Sequence, residues 1–232
     1  MRNKLILELL GTFFLSCAAL MSEAPLSVAA MLCALIYMGG PISGAHYNPA
    51  VTLAVWIRGR ISWKQSLAYV GVQLLAAFLA ALLVGSLLGY DHDHAKDSLA
   101  ALGDSVFSDA YGSSVTEFFG TFILALVILL VATSRLTAGN GYFGLAIALT
   151  VLGVAGAFAQ FNPVINPAVG FALSLQGLAS ALFGDGTGAG VVAKEFIYLA
   201  KVTPRLGLDL FCQLLGGAAA GGLFLVLYPE DR

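Results

Sequence analysis

The sequence predicts an all-α integral membrane protein, with six transmembrane helices and two re-entrant half-helices forming an inverted internal repeat within one domain, residues 1–232. Three observations carry that expectation. The chain is 59% hydrophobic and only 10% charged, with a mean hydropathy of +0.90, whereas soluble domains carry about 25% charged residues. The tripeptide Asn-Pro-Ala occurs twice, at Asn48-Pro49-Ala50 and Asn166-Pro167-Ala168. Each copy lies in an uncharged stretch, Ala24 to Ile57 (34 residues) and Leu136 to Gly184 (49 residues). Since about 20 apolar residues cross a bilayer, each stretch must hold a span and a second buried segment.

Proline divides them. It suits the first position of a helix, where its missing N–H would have no intrahelical partner, and asparagine before it is a natural N-cap. Both tripeptides therefore read as starts of short helices, Pro49 to Ile57 and Pro167 to Leu175. Non-helical backbone at mid-membrane depth is tolerated only where it is buried or lines a water-filled cavity. Two stubs starting there would aim the positive ends of their dipoles at one point.

Taken in order, Leu5–Met21 is the first span and carries Glu8-Leu9-Leu10-Gly11-Thr12-Phe13 near its start. This opening resembles a secretory signal. The same pattern recurs mid-chain at Glu117-Phe118-Phe119-Gly120-Thr121-Phe122, which favours a span in both places. Leu26–Gly40 is the second span and Ser66–Tyr90 the third. The second half repeats them as Ser114–Ser134, Phe143–Gln160 and Leu206–Tyr228. Glutamine recurs in the last span of each half, as Gln73 and Gln213. The order Glu, Asn-Pro-Ala, Gln thus appears twice, in repeats of residues 1–90 and 114–232 joined by a loop over 91–113. Three spans per half invert the second copy.

Lysine and arginine lie mainly on one side: Arg2, Lys4, Arg58, Arg60, Lys64, Arg135 and Arg232 against Lys96, Lys194, Lys201 and Arg205. That bias puts both termini in the cytoplasm, in a cell or inner membrane. The loop from Asp91 to Tyr111 is then external and acidic, and its Asp91-His92-Asp93-His94 run reads as a solvated loop before it reads as a metal site. A second external loop, Gln176 to Arg205, is rich in glycine and long enough for a short helix near Val191–Ala200. Cys17, Cys33 and Cys212 sit in apolar segments without metal-ligand spacing, so no cofactor or metal is expected. Glycines in the third and sixth spans suit close helix packing. There is no basic run for nucleic acid, and no nucleophile–base pair for an enzyme.

Ser43-Gly44-Ala45-His46-Tyr47-Asn48-Pro49-Ala50-Val51-Thr52, with both Glu-x-x-Gly-Thr-Phe phrases and the second Asn-Pro-Ala, resembles the aquaporin, or major intrinsic protein, family over Glu8 to Tyr228. The resemblance implies a passive channel for water and small neutral solutes (glycerol, urea or ammonia-like), set in a lipid bilayer and assembled as a homotetramer. It places Asn48, Pro49, Ala50, Asn166, Pro167 and Ala168 at the pore centre. Backbone carbonyls of Gly44, Ala45, His46, Asn162 and Val164 would form the acceptor ladder, and Glu8 and Glu117 would support the loops. His46 is open between a pore-lining or gating role and plain loop packing.

The second copy departs from the family pattern. The family usually has arginine directly after the second Asn-Pro-Ala, where this chain has Val169. Counting from each asparagine, the outer filter falls on Val28, Val154 (within one residue), Pro163 and Val169, without charge, histidine or aromatic ring. The expectation is a wider, apolar filter, with a dewetted gate as the alternative. A secondary transporter or a non-conducting structural protein could share this fold. A transporter usually needs ionisable groups within its spans, and beyond Glu8 and Glu117 the predicted spans hold only Asp209, near an end.

Overall fold

The computed structural model describes residues 1–22, 24–88, 110–183 and 189–231. Among the described residues, eight α-helices follow in order: α1 Arg2–Met21, α2 Pro25–Ser43, α3 Pro49–Ile57, α4 Trp63–Leu88, α5 Ala110–Ile128, α6 Phe143–Ala157, α7 Pro167–Phe183 and α8 Ala189–Leu227. Five stretches, within α1, α2, α4, α5 (extended to Thr133) and α8, are long and apolar enough to cross a membrane. The fifth predicted span, α6, is shorter at 15 residues and passes through a 3-10 turn, Ala159–Phe161, to Asn162 in the left-handed region.

Local sequence sets most boundaries. Pro25 occupies the first turn of α2, and Gly44 ends that helix at φ 93°, its N–H bonded to Gly40 O at 3.1 Å. Asn48 caps α3 with its side chain, as expected of asparagine before proline.

Three expectations need correction. The second stub does not stop at Leu175: α7 runs on to Phe183, because no proline or charge interrupts Phe171 to Phe183. The segment drawn as a long loop from Gln176 is thus helical at both ends. The short helix near Val191–Ala200 is not separate, since α8 continues through Pro204 into the last span; proline costs that helix one backbone hydrogen bond without ending it. The acidic loop with its Asp91-His92-Asp93-His94 run lies almost wholly outside the described residues.

The two halves interlock. Within them α1 packs on α4 and α5 on α8; across them α3 lodges against α8 and α7 against α4. Each stub is therefore held by the last span of the other half. The interior is filled by small residues, including Ala76, Ala77, Ala80, Ala125, Ala172 and Ala220, while Phe14, Phe119, Leu149 and Leu215 face outward. That distribution suits lipid, where close approach of small residues rather than the hydrophobic effect drives helix association. Cβ atoms at Gly216 and Gly217 would lie 2.4 Å from the backbone oxygens of Phe118 and Ala50, so glycine lets α8 touch α5 and α3. Gly71 and Gly222 face no such neighbour, and close packing does not explain them.

Candidate functional site

The interlocked stubs bring the two asparagines together by a reciprocal exchange. Asn48 Nδ2 donates to Ile165 O at 2.9 Å, and Asn166 Nδ2 donates to Tyr47 O at 3.0 Å. Each Oδ1 caps its own helix, Asn48 accepting from Ala50 N at 2.8 Å and Asn166 from Ala168 N at 3.0 Å. An asparagine amide has two N–H donors. One is used in the exchange and the other takes no part in it.

The backbone before each asparagine is bent to make this exchange. Ala45, Tyr47, Asn162 and Ile165 all have φ between 47° and 49°, a left-handed conformation unfavourable for residues with a side chain. Two buried carboxylates hold it in place. Glu8 Oε1 accepts from Ser43 Oγ at 2.8 Å and His46 N at 2.9 Å; its Oε2 accepts from Tyr47 N at 2.8 Å and Gln73 Nε2 at 2.9 Å. Glu117 repeats the pattern with Val164 N and Ile165 N, both at 2.7 Å, and Gln213 Nε2 at 2.8 Å. Backbone N–H groups tied outward in this way leave their carbonyls to turn elsewhere.

A cavity of about 1080 Å³ runs beside the asparagines. Its lining includes Pro25 at the start of α2 and Gly40 and Pro41 near its end, so it follows most of a helix about 28 Å long. Asn48 and Asn166 line it, as do Gly44, Ala45, His46, Asn162 and Val164 of the predicted carbonyl ladder. Among the described lining residues there is no Asp, Glu, Lys or Arg, and His46 carries the one imidazole.

Val28, Pro163 and Val169 share the wall, with Leu173 and Val151. Val154 does not. It packs against Ile165 in the core, and its neighbour Ala155 lines the cavity instead, because one residue turns a helix by about 100°. Pro49, Ala50, Pro167 and Ala168 are buried behind the asparagines and line nothing; they form the first turns of the stubs, and Ala50 meets Gly217.

Sequence reasoning missed several supports. Thr52 Oγ1 donates to Asn48 O at 2.9 Å and accepts from Gln73 Nε2 at 3.0 Å, with His46 Nδ1 at 3.1 Å. Tyr69 donates to Ser43 O at 2.7 Å, and Tyr47, fully buried, reaches Leu35 O at 3.0 Å. The recurrence of Gln73 and Gln213 was the signal that could have found the glutamine–glutamate pairs.

Comparison with known proteins identifies relatives in sequence and in fold. The Major intrinsic protein family profile matches residues 15–200. Aquaporin NIP1-1 of Zea mays is 37% identical over 166 residues, 65% of this chain and 56% of that protein. The probable aquaporin AqpM of Archaeoglobus fulgidus is 35% identical over 190 residues, 76% of this chain and 75% of its own. The chain spans little more than half the length of the plant relatives it matches. The solved aquaglyceroporin from Plasmodium falciparum superimposes with a TM-score of 0.66 at 20% identity, covering 98% of this chain and 97% of that one, which establishes a shared fold.

Proposed function

The chain belongs to the major intrinsic protein family, and from that premise we propose that it is a passive membrane channel for water and small neutral solutes, opening through the Asn48–Asn166 contact. The observation that carries the reading is a long cavity with no charged side chain among its described lining residues, lined by two asparagines that each have a donor to spare.

The mechanism follows from hydrogen-bond inventory; aquaporin-type pores are the familiar case of selectivity by lining and electrostatic barrier. A solute entering an apolar bore loses water on all sides. It regains hydrogen bonds along one stripe, from carbonyls of Gly44, Ala45, His46, Asn162 and Val164 and from the amides of Asn48 and Asn166. The stub N-termini add positive potential at the same point, which favours the solute's oxygen and opposes a cation or a chain of donated protons. Glu8 and Glu117 act as positioning residues.

The outer filter of this reading is Val28, Ala155, Pro163 and Val169. Valine in place of arginine removes a fixed charge and its donors, so the bore admits solutes larger than water, and exclusion of protons rests on the central asparagines. The bias of lysine and arginine to one side supports both termini in the cytoplasm, and the family resemblance supports four copies side by side, each a single channel domain.

Flux into proteoliposomes tests the proposal. Water, glycerol and urea should cross at rates linear in their gradients and indifferent to proton or sodium gradients. Coupling to an ion gradient would make the protein a transporter, absence of flux a structural protein, and strict selection of water would refute the wide filter. Water flux that is poor until Val169→Arg restores it would point to a dewetted gate.

A further inference from the structure

Helix α7 carries two neighbouring stripes with different tasks. Ala168, Ala172 and Leu175 pack with Leu20 of α1 and with alanines of α4. One residue further round, Val169, Leu173 and Gln176 line the cavity, in line with Asn166 at the helix N-terminus. These four positions are three, four and three residues apart, the spacing that keeps side chains on one face of a helix. Because α7 runs on to Phe183 where the sequence predicts a loop from Gln176, the wall of the passage extends two turns beyond Val169.

Gln176 ends that stripe about 15 Å along the helix axis from Asn166. Its backbone is enclosed in the helix, so its side chain is the part that reaches the cavity. The residue is half-buried, and its amide has no hydrogen-bond partner among the described residues. Between the amides of Asn166 and Gln176 the stripe offers only Val169 and Leu173. Met21, Ser22 and Pro25, from the turn between α1 and α2, line the same end of the cavity, where Leu20 packs against Ala172.

We propose that Gln176 is a solute-docking residue at this mouth, taking neutral solutes that carry donors and acceptors together, namely polyols and amides. A solute entering here gives up water before an apolar collar of Val28, Ala155, Pro163 and Val169, and the donors of Asn48 and Asn166 lie beyond it. One glutamine amide donates two hydrogen bonds and accepts two, so it replaces lost water for a solute such as glycerol or urea while the solute turns into the collar. Water depends on it less. In a file of waters each molecule stays bonded to its neighbours, whereas a bulkier solute displaces them.

The inference rests on the channel reading, and the experiment separates the two. Permeability to water, glycerol and urea is measured in proteoliposomes for the unaltered chain, Gln176→Met, Gln176→Asn and Ser174→Ala. Methionine keeps an unbranched side chain and removes the amide. Glycerol and urea permeability is expected to fall about fivefold in Gln176→Met, the scale of one hydrogen bond, while water changes by less than about twofold. Gln176→Asn, which keeps the amide on a shorter stem, recovers part of the loss. Ser174→Ala, whose lost hydroxyl donates to Phe171 O at 2.7 Å within the helix, leaves all three permeabilities unchanged. A glycerol-to-water ratio that Gln176→Met does not alter, whether both permeabilities fall or neither does, overturns the docking role and leaves the channel reading standing. Absence of flux in the unaltered chain overturns the channel reading itself, and the docking role with it.

Discussion

The first Asn-Pro-Ala loop is gripped by polar side chains, whereas the second reaches the same backbone shape with fewer of them. Tyr47 and Ile165 occupy equivalent places, both in the left-handed region and each packed on the glycine of its own Glu-x-x-Gly-Thr-Phe phrase, Gly11 and Gly120. Around Tyr47 stand Ser43, Thr52, Tyr69, Gln73 and Glu8, all hydrogen-bonded to the loop or to one another. Around Ile165 the polar set shrinks to Glu117 and Gln213, and Gly170 stands where Thr52 would be. The shared core is thus a carboxylate on two backbone N–H groups, with a glutamine behind it. Everything beyond that core is particular to one half.

The largest effect should come from breaking the shared core. Glu8→Ala strands two backbone donors, a glutamine and a serine, and should cost on the order of 4 kcal/mol, with Glu117→Ala costing about 1 less because no serine is lost. Thermal unfolding in lipid would rank them, and equal losses would mean that the extra grip of the first loop contributes nothing.

Gly217→Ala probes how closely α8 approaches α3. The equivalent position in the first half is Ala77, fully buried, yet a Cβ at Gly217 would come within 2.4 Å of Ala50 O. Overpacking should cost about 2 kcal/mol, again read as a lowered melting temperature. A neutral result would show that the two last spans are interchangeable.

A smaller effect sharpens the contrast. At Gly170 a Cβ would meet only Val164 and Leu206, at 3.8 and 4.0 Å. Gly170→Ala should therefore stabilise the chain by up to about 1 kcal/mol through helix propensity, whereas Thr52→Ala, which removes an acceptor from Gln73 and His46, should destabilise it by about 1. The same melting assay decides between opposite signs.

The smallest effect near neutrality is that of pH on the Asp231 cluster, which joins Arg58 and Arg60 of the first half to Arg135 and Asp231 of the second. The Ser134 hydroxyl, the Arg135 N–H and the Arg58 and Arg60 guanidinium groups hold the Asp231 carboxyl below the usual carboxylate range. Its contribution to stability is therefore complete above the ordinary value of about 3.9 and is lost as pH falls through the lowered one. Melting temperature should be insensitive to this group from neutrality down to mild acid. Asp231→Asn should flatten part of the decline below that; an unchanged acid decline would contradict the assignment.

These contrasts also explain what the sequence could reveal. The stubs begin where Pro49 and Pro167 predicted, because proline and asparagine act locally on the chain. Glu8 and Glu117 were legible because a duplicated residue advertises a duplicated task. The α6 position could be read only to within one residue of Val154, and Ala155 is the one on the wall, since counting along a sequence does not fix the rotation of α6. The end of α7 was misjudged because apolar sequence carries no stop signal. The Arg58–Asp231 pair joins residues too far apart for any local pattern to announce.

The central claim is that a continuous passage runs past the Asn48–Asn166 contact, and a single thiol tests it most directly. Cys17, Cys33 and Cys212 lie outside the cavity lining, whereas Val169, beside Asn166, is part of it. Flux through Val169→Cys should be abolished by a small thiol-reactive reagent while the unaltered chain stays conducting. Flux that survives complete labelling of residue 169 would contradict the account.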